Sequence, residues 1–162
     1  MFFDRRDEGG KHRALLLFIL GTLAVGWAGS VFTQPNIPTW YAGLERPAFA
    51  PPNWIFAPVW TALYVMMAVA AARVYKITGL KSAELTAWFV QLFLNVCWSG
   101  IFFALHAMGW ALVEILVLDA AVLVTAILFW RRDRLAGLLM LPYLGWTSFA
   151  TVLNHAFWQL NR

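Results

Sequence analysis

Residues 108–159 read MGWALVEILVLDAAVLVTAILFWRRDRLAGLLMLPYLGWTSFATVLNHAFWQ, and this stretch decides the fold. Two long apolar runs flank one tight charge cluster, Arg131, Arg132, Asp133 and Arg134. A hydrocarbon core about 30 Å thick takes roughly 20 apolar residues per helical crossing. Each run is long enough to cross, and the cluster between them cannot stay in hydrocarbon, so the chain leaves the bilayer there and returns. Neither run alternates apolar and polar residues as a barrel strand does. A spanning backbone must satisfy its own hydrogen bonds, so both runs read as helices.

The same punctuation continues toward the amino terminus. Charged clusters separate further neutral runs, giving helices expected at about 14–32, 53–75, 84–106, 108–130 and 135–159. With 62% hydrophobic and 12% charged residues, the chain carries about half the charge of a soluble domain. The fold class is therefore an all-α membrane protein, a compact bundle of five transmembrane helices. A basic tail, 1–13, precedes a single domain, 14–162. The first run follows charged residues as a secretory leader would, but it exceeds a leader's apolar core and ends in no convincing small-x-small cleavage site, so it reads as a retained span. Cys97, the single cysteine, falls inside the third span, which excludes an internal disulfide and a multi-cysteine metal site.

Positive residues near helix ends are retained in the cytoplasm, and five crossings sort them cleanly. One side receives Arg5, Arg6, Lys11, Arg13, Arg73, Lys76, Lys81, Arg131, Arg132 and Arg134; the other receives Arg46 and Arg162. The expectation is an amino terminus in the cytoplasm and a carboxyl terminus outside. A basic cytoplasmic face accounts for the net charge of +4, and no nucleic-acid partner is implied.

The loop 33–52 carries Pro35, Pro38, Pro47, Pro51 and Pro52. Proline fixes φ and donates no backbone hydrogen bond, so this segment is expected to be stiff, irregular and outside the hydrocarbon. Its Trp40, Tyr41 and Phe49 suit either an interfacial aromatic belt or a lid over a cavity. Five is an odd number of spans and no two halves share broken helices, so there is no transporter-type repeat. Small residues at four-residue spacing, Ala24 with Ala28, Gly26 with Ser30 and Gly100 with Ala104, permit close helix approach within the chain or between copies.

Three helical stripes gather polar and aromatic groups: Gln91, Asn95, Trp98 and Phe102 in the third span; Tyr143, Trp146, Ala150, Asn154 and Phe157 in the fifth; Trp60, Tyr64 and Met67 in the second. Asn95 and Asn154 are either ligand contacts or interhelical hydrogen-bond partners. Of the ten tryptophans, Trp60, Trp98 and Trp146 lie too far from charged flanks for belt positions. If the stripes face one another, they line an apolar cavity suited to a flat aromatic ligand. Glu114 and Asp119, five residues apart in the fourth span, point to different faces and form no catalytic pair. Carboxylates at that depth are costly, so each is protonated, bonded to another helix or part of a proton route. His12, His106 and His155 are scattered, and no nucleophile, phosphate-binding or metal motif is present.

Three blocks carry a resemblance. They are Trp40-Tyr41-x-x-Leu44-x-x-Pro47-x-x-x-Pro51-Pro52-x-Trp54-x-Phe56-x-Pro58-x-Trp60-x-x-Leu63-Tyr64, then Asn95-x-x-Trp98-Ser99-x-x-Phe102-Phe103, then Leu141-Pro142-Tyr143-x-x-Trp146-x-x-x-Ala150-x-x-x-Asn154. In this order and spacing they resemble the translocator protein family, also called tryptophan-rich sensory proteins. The resemblance implies a five-helix bundle, commonly a homodimer, with a ligand cavity under the loop between the first two helices. It further implies binding of porphyrins and haem-related tetrapyrroles, of benzodiazepine-site drugs and, in animals, of cholesterol. The family's cavity positions would be Tyr41, Pro51, Trp60, Asn95, Trp98, Trp146 and Ala150. Some bacterial members are linked to light-dependent porphyrin breakdown, for which the catalytic candidates here would be Trp60 and Trp146.

The animal cholesterol motif needs a tyrosine and an arginine where this chain has His155 and Gln159, so cholesterol is disfavoured. Val69, Tyr75 and Lys81 satisfy the loose cholesterol pattern, which matches by chance. Asp119 stands where a small or neutral residue is expected. The leading expectation is a membrane receptor, sensor or carrier that binds a tetrapyrrole among Trp60, Trp98 and Trp146, with Tyr64 and Asn95 beside it and Arg46 of the lid pairing with a propionate. The porphyrin is a ligand rather than a required cofactor, and no metal is implied. The alternatives are light-dependent porphyrin degradation and a proton-coupled transporter or channel that uses Asp119.

Overall fold

The computed structural model describes residues 5–162, with side chains from residue 12 onward; Arg5, Arg6 and Lys11 of the expected basic tail thus lie outside the described side chains. Five long helices follow: α1 (Arg5–Thr33), α2 (Asn53–Thr78), α3 (Ala83–Ser99), α4 (Met108–Arg132) and α5 (Arg134–Leu160). No strand occurs among the described residues. Five segments of 22 to 27 residues are long and apolar enough to cross a membrane. At 1.5 Å per residue they run about 33–40 Å, sufficient for the hydrocarbon with some tilt.

The helix ends follow local chemistry. Ser82 caps α3 by accepting from the Leu85 amide at 3.3 Å, and Asp133 caps α5 by accepting from the Ala136 amide at 3.0 Å. Gly79 ends α2 with φ of 73°, a conformation glycine adopts without a Cβ clash. The expected end of the third helix at His106 needs correction. Regular α-helix stops at Ser99 and a π-helical turn, Gly100–Ala104, continues it. His106 then takes φ of 54° and the chain turns into α4. The loop 33–52 is also less irregular than its prolines suggest, since it holds two 3-10 turns, Gln34–Asn36 and Tyr41–Gly43.

In space the helices close a ring in the order α1, α2, α5, α4, α3 and back to α1. At the basic end the ring is tied by two ion pairs, Arg73 to Asp133 at 2.7 Å and Arg132 to Glu84 at 2.6 Å. Above them, Met67 and Val74 of α2, Leu85 and Trp88 of α3, Ile115 and Phe129 of α4, and Met140 and Tyr143 of α5 fill the bundle with apolar volume. A second buried cluster, Tyr41, Phe102, Met108, Ala111, Leu153 and Phe157, lies at the opposite end under the 33–52 segment. Space remains between the two.

Candidate functional site

That space is a cavity of about 360 Å³, walled by α1, α2, α3, α5 and the 33–52 segment. Such a volume is in the range of small-molecule sites. Trp60, Tyr64, Asn95, Trp98, Trp146 and Ala150 all stand on its wall, so the three stripes do converge. The lowest members of all three stripes do not line it: Gln91 and Met67 meet in the core instead, Gln91 Nε2 donating to Met67 Sδ at 3.8 Å, and Tyr143 is fully buried beneath it.

The floor is a chain of hydrogen bonds across three helices. Tyr64 Oη donates to Asn95 Oδ1 at 2.6 Å, and Asn95 Nδ2 donates to Tyr143 Oη at 3.1 Å. Higher on the wall, Trp98 Nε1 donates to Asn154 Oδ1 at 3.1 Å, while Asn154 Nδ2 donates to the Met108 carbonyl at 2.9 Å. Asn154 is thus an interhelical brace that orients Trp98 and ties α5 to the start of α4. Among the described residues, no protein acceptor takes the indole N–H of Trp60 or Trp146, whereas that of Trp98 is engaged.

Ring packing fixes the aromatic walls. Trp60 stacks on Tyr64 at 5.5 Å, and Trp98 on Phe102 at 5.2 Å. Phe56 meets Trp146 edge-on at 5.8 Å. Ring pairs in these geometries add roughly 0.5–1.5 kcal/mol each beyond area burial, so the walls are held before any ligand arrives.

The 33–52 segment covers part of the cavity. Gln34, Ile37 and Tyr41 close the cavity, and Tyr41 is buried against Phe103 and Phe157 at 5.7 and 5.2 Å. Burial pushes the Tyr41 hydroxyl above the ordinary phenol range, and the Arg46 charge beside it pulls back only part of the way, so the hydroxyl stays protonated. Phe49 alone of the three aromatic residues stays half exposed, as a belt residue would. Arg46 and Pro51 do not line the cavity. Arg46 is exposed, donates Nη1 to Asn53 Oδ1 at 2.8 Å and Nη2 to the Pro51 carbonyl at 2.9 Å, and sets its guanidinium 5.5 Å from the Tyr41 ring centroid. Its place is the outer rim, where it staples the end of the lid to the start of α2.

Neither Glu114 nor Asp119 reaches the cavity. Asp119 Oδ2 lies 3.0 Å from Thr151 Oγ1 of α5, whose hydroxyl also lies 3.0 Å from the Thr147 carbonyl, while Asp119 Oδ1 is buried without a partner among the described residues. Glu114 has both oxygens buried without a partner. Tyr75, of the loose cholesterol pattern, packs on Phe18 at 5.6 Å and lies away from the cavity. No group of three metal-ligating side chains occurs among the described residues.

Sequence patterning missed the contribution of α1. Gly26, Trp27, Gly29 and Ser30 complete the wall, and a Cβ at Gly26 would lie 2.5 Å from the Tyr64 ring. The Gly26–Ser30 spacing signalled a close approach, and the approach is to Tyr64 of the same chain. Phe103 was missed as a wall residue because the π-helical turn, which a regular helical register does not anticipate, brings Phe102 and Phe103 both to the cavity.

Comparison with known proteins gives one consistent result. The sequence pattern of the TspO/MBR family matches residues 18–159. The chain is 43% identical over 148 residues to the tryptophan-rich protein TspO of Archaeoglobus fulgidus, covering 91% of this chain and 96% of that one. It is 38% identical over 148 residues to the tryptophan-rich sensory protein of Cereibacter sphaeroides, covering 91% and 92%. It is 37% identical over 139 residues to the human translocator protein, covering 83% and 82%.

Proposed function

The chain belongs to the TspO/MBR family of multi-pass membrane proteins, and on that premise we propose that it is a receptor or sensor for tetrapyrroles such as protoporphyrin IX. The carrying observation is the convergence of Trp60, Trp98 and Trp146 on one lidded cavity, with the indole N–H of Trp60 and Trp146 left without a protein acceptor among the described residues. A flat, mainly apolar macrocycle gains area burial and ring contact from such walls. Its carboxylates belong at the mouth, beside Asn53 and Arg46. Arg46 is spent on the lid in the closed form and becomes free to pair with a propionate only when its bonds to Asn53 and Pro51 break. Flat benzodiazepine-site ligands suit the same walls. The concentration of Lys and Arg at the end opposite the lid orients the lid, in this reading, to the outside of the membrane.

The test is a titration of the purified protein in detergent with protoporphyrin IX. Tryptophan fluorescence should fall saturably, and the Trp60→Ala, Trp146→Ala double variant should bind at least about fivefold more weakly, the loss of two ring contacts of roughly 0.5–1.5 kcal/mol each. Unchanged affinity in the double variant removes this site.

A second reading, light-dependent degradation of the bound porphyrin, is favoured by one observation: Trp60 and Trp146 are oxidisable rings on the cavity wall itself. It requires loss of the Soret band on illumination that slows in Trp146→Phe; equal loss in that variant removes it. Proton-coupled transport through Asp119 has no such support, because Asp119 stands off the cavity and is bonded to Thr151.

A further inference from the structure

His106 occupies the corner between the π-helical turn and α4 with φ of 54°. Glycine takes that left-handed conformation freely, whereas a side chain there meets its own backbone. A strained non-glycine residue persists only where its surroundings hold it, and the His106 ring is held twice. It stacks on Trp40 with centroids 4.2 Å apart and planes 13° from parallel. Its Nε2 lies 2.9 Å from Asn36 Oδ1. Asn36 Nδ2 already donates to the Phe32 carbonyl at 2.9 Å, which fixes the amide so that Oδ1 faces the ring. An amide oxygen only accepts, so Nε2 carries the hydrogen and donates.

Trp40 and Asn36 both belong to the lid, on either side of Ile37, which closes the cavity. Trp40 also sits edge-on to Phe102 and Phe103 at 5.6 and 6.5 Å. The far half of the lid has separate fastenings. Asn161, at the end of α5, accepts from the Glu45 amide at 2.8 Å and donates to the Glu45 carbonyl at 3.0 Å, and Arg46 binds Asn53 and Pro51. The near half packs its Trp40 and Tyr41 rings on Phe102, Phe103 and Phe157, and His106 of the α3–α4 corner adds a ring stack and a hydrogen bond across the cavity mouth.

We propose that His106 is a positioning residue that latches the first half of the lid shut, and so sets how fast a ligand enters and leaves without touching it. This rests on the reading of the cavity as a ligand site only in its second clause. The substitution His106→Gly separates latch from scaffold, because it relieves the backbone while deleting both ring contacts. His106→Phe keeps a ring for Trp40 and deletes the hydrogen bond.

The test is amide hydrogen exchange over residues 34–41 in the full-length protein in detergent, with melting temperature and the dissociation rate of protoporphyrin IX measured on the same samples. In His106→Gly the lid amides should exchange about tenfold faster, from the loss of one exposed ring stack and one hydrogen bond, with no fall in melting temperature. His106→Phe should lie between it and the wild type. Protoporphyrin should dissociate faster in the same order. Unchanged lid exchange in His106→Gly overturns the latch; faster lid exchange with unchanged dissociation overturns its control of access. A wild-type protein that fails to bind protoporphyrin sinks the ligand reading, and lid exchange then still decides the latch.

Discussion

Replacing Gly26 with alanine tests the geometry of the cavity wall at its tightest point. The new Cβ would lie 2.5 and 2.8 Å from two carbons of the Tyr64 ring, against a comfortable carbon–carbon separation of about 3.5–4.0 Å. About 1 Å must be found. The ring cannot swing freely, since its hydroxyl is bonded to Asn95 at 2.6 Å and its face is stacked on Trp60. Overpacking of this kind costs about 1–3 kcal/mol, and breaking the Tyr64–Asn95 bond adds about 1 kcal/mol if the ring is the part that moves. Alanine returns about 0.5–1 kcal/mol of helix propensity. The net expectation is a loss of about 1–2 kcal/mol, read as a lower midpoint of thermal unfolding in detergent. Gly21→Ala is the control, because nothing lies within 4 Å of its Cβ and only the propensity gain remains. Gly26→Ala should melt below the wild type and Gly21→Ala at or above it. Equal behaviour of the two would refute the close approach of α1 to Tyr64.

Two further outcomes are expected. Asn154→Ala removes both the Trp98 and the Met108 hydrogen bonds and should cost about 1–3 kcal/mol of stability while weakening protoporphyrin binding through a loosened Trp98, measured by thermal unfolding and titration. Asp133 is buried enough to push its carboxyl up, but the Arg73 pair and the Ala136 and Leu135 amides outweigh this and hold it below the ordinary range. Its stabilisation is present above the unfolded carboxyl range, near pH 3.9, and is lost as pH falls through the lower folded value, so melting temperature should drop on acidification below about pH 4. Asp133→Asn keeps the cap and should flatten that drop by no more than about 1 kcal/mol, given an Arg73 side chain 41% exposed.

The five helices were legible because the bilayer imposes a length and a charge rule that the sequence obeys in plain form. The site was legible where one helix face concentrates unusual residues: amides and tryptophans that lipid would reject mark Asn95, Trp98, Trp60 and Trp146. It was not legible on α1, where Gly26 and Gly29 let the helix approach closely enough for Trp27 and Ser30 to join the wall, nor at Phe103, which depends on one extra residue in a π-helical turn. Arg46 illustrates a different limit. A cation in a proline-rich loop suggests an anion partner, yet its donors are satisfied by Asn53 and Pro51. His106, an apparently scattered histidine, gains a role only from the fold, which sets it against Trp40 and Asn36 across 66 and 70 residues of chain.

The central claim, that the lidded cavity receives the tetrapyrrole, is tested most directly by protection of a cysteine placed on its wall. With Cys97→Ser removing the single native thiol, Ala150→Cys sets a thiol at the cavity. Maleimide labelling of Ala150→Cys should slow saturably with added protoporphyrin IX, over the same concentrations that quench tryptophan fluorescence, while a cysteine at the exposed Ala42 should label at an unchanged rate. Labelling of Ala150→Cys that proceeds equally fast with the porphyrin bound would contradict it.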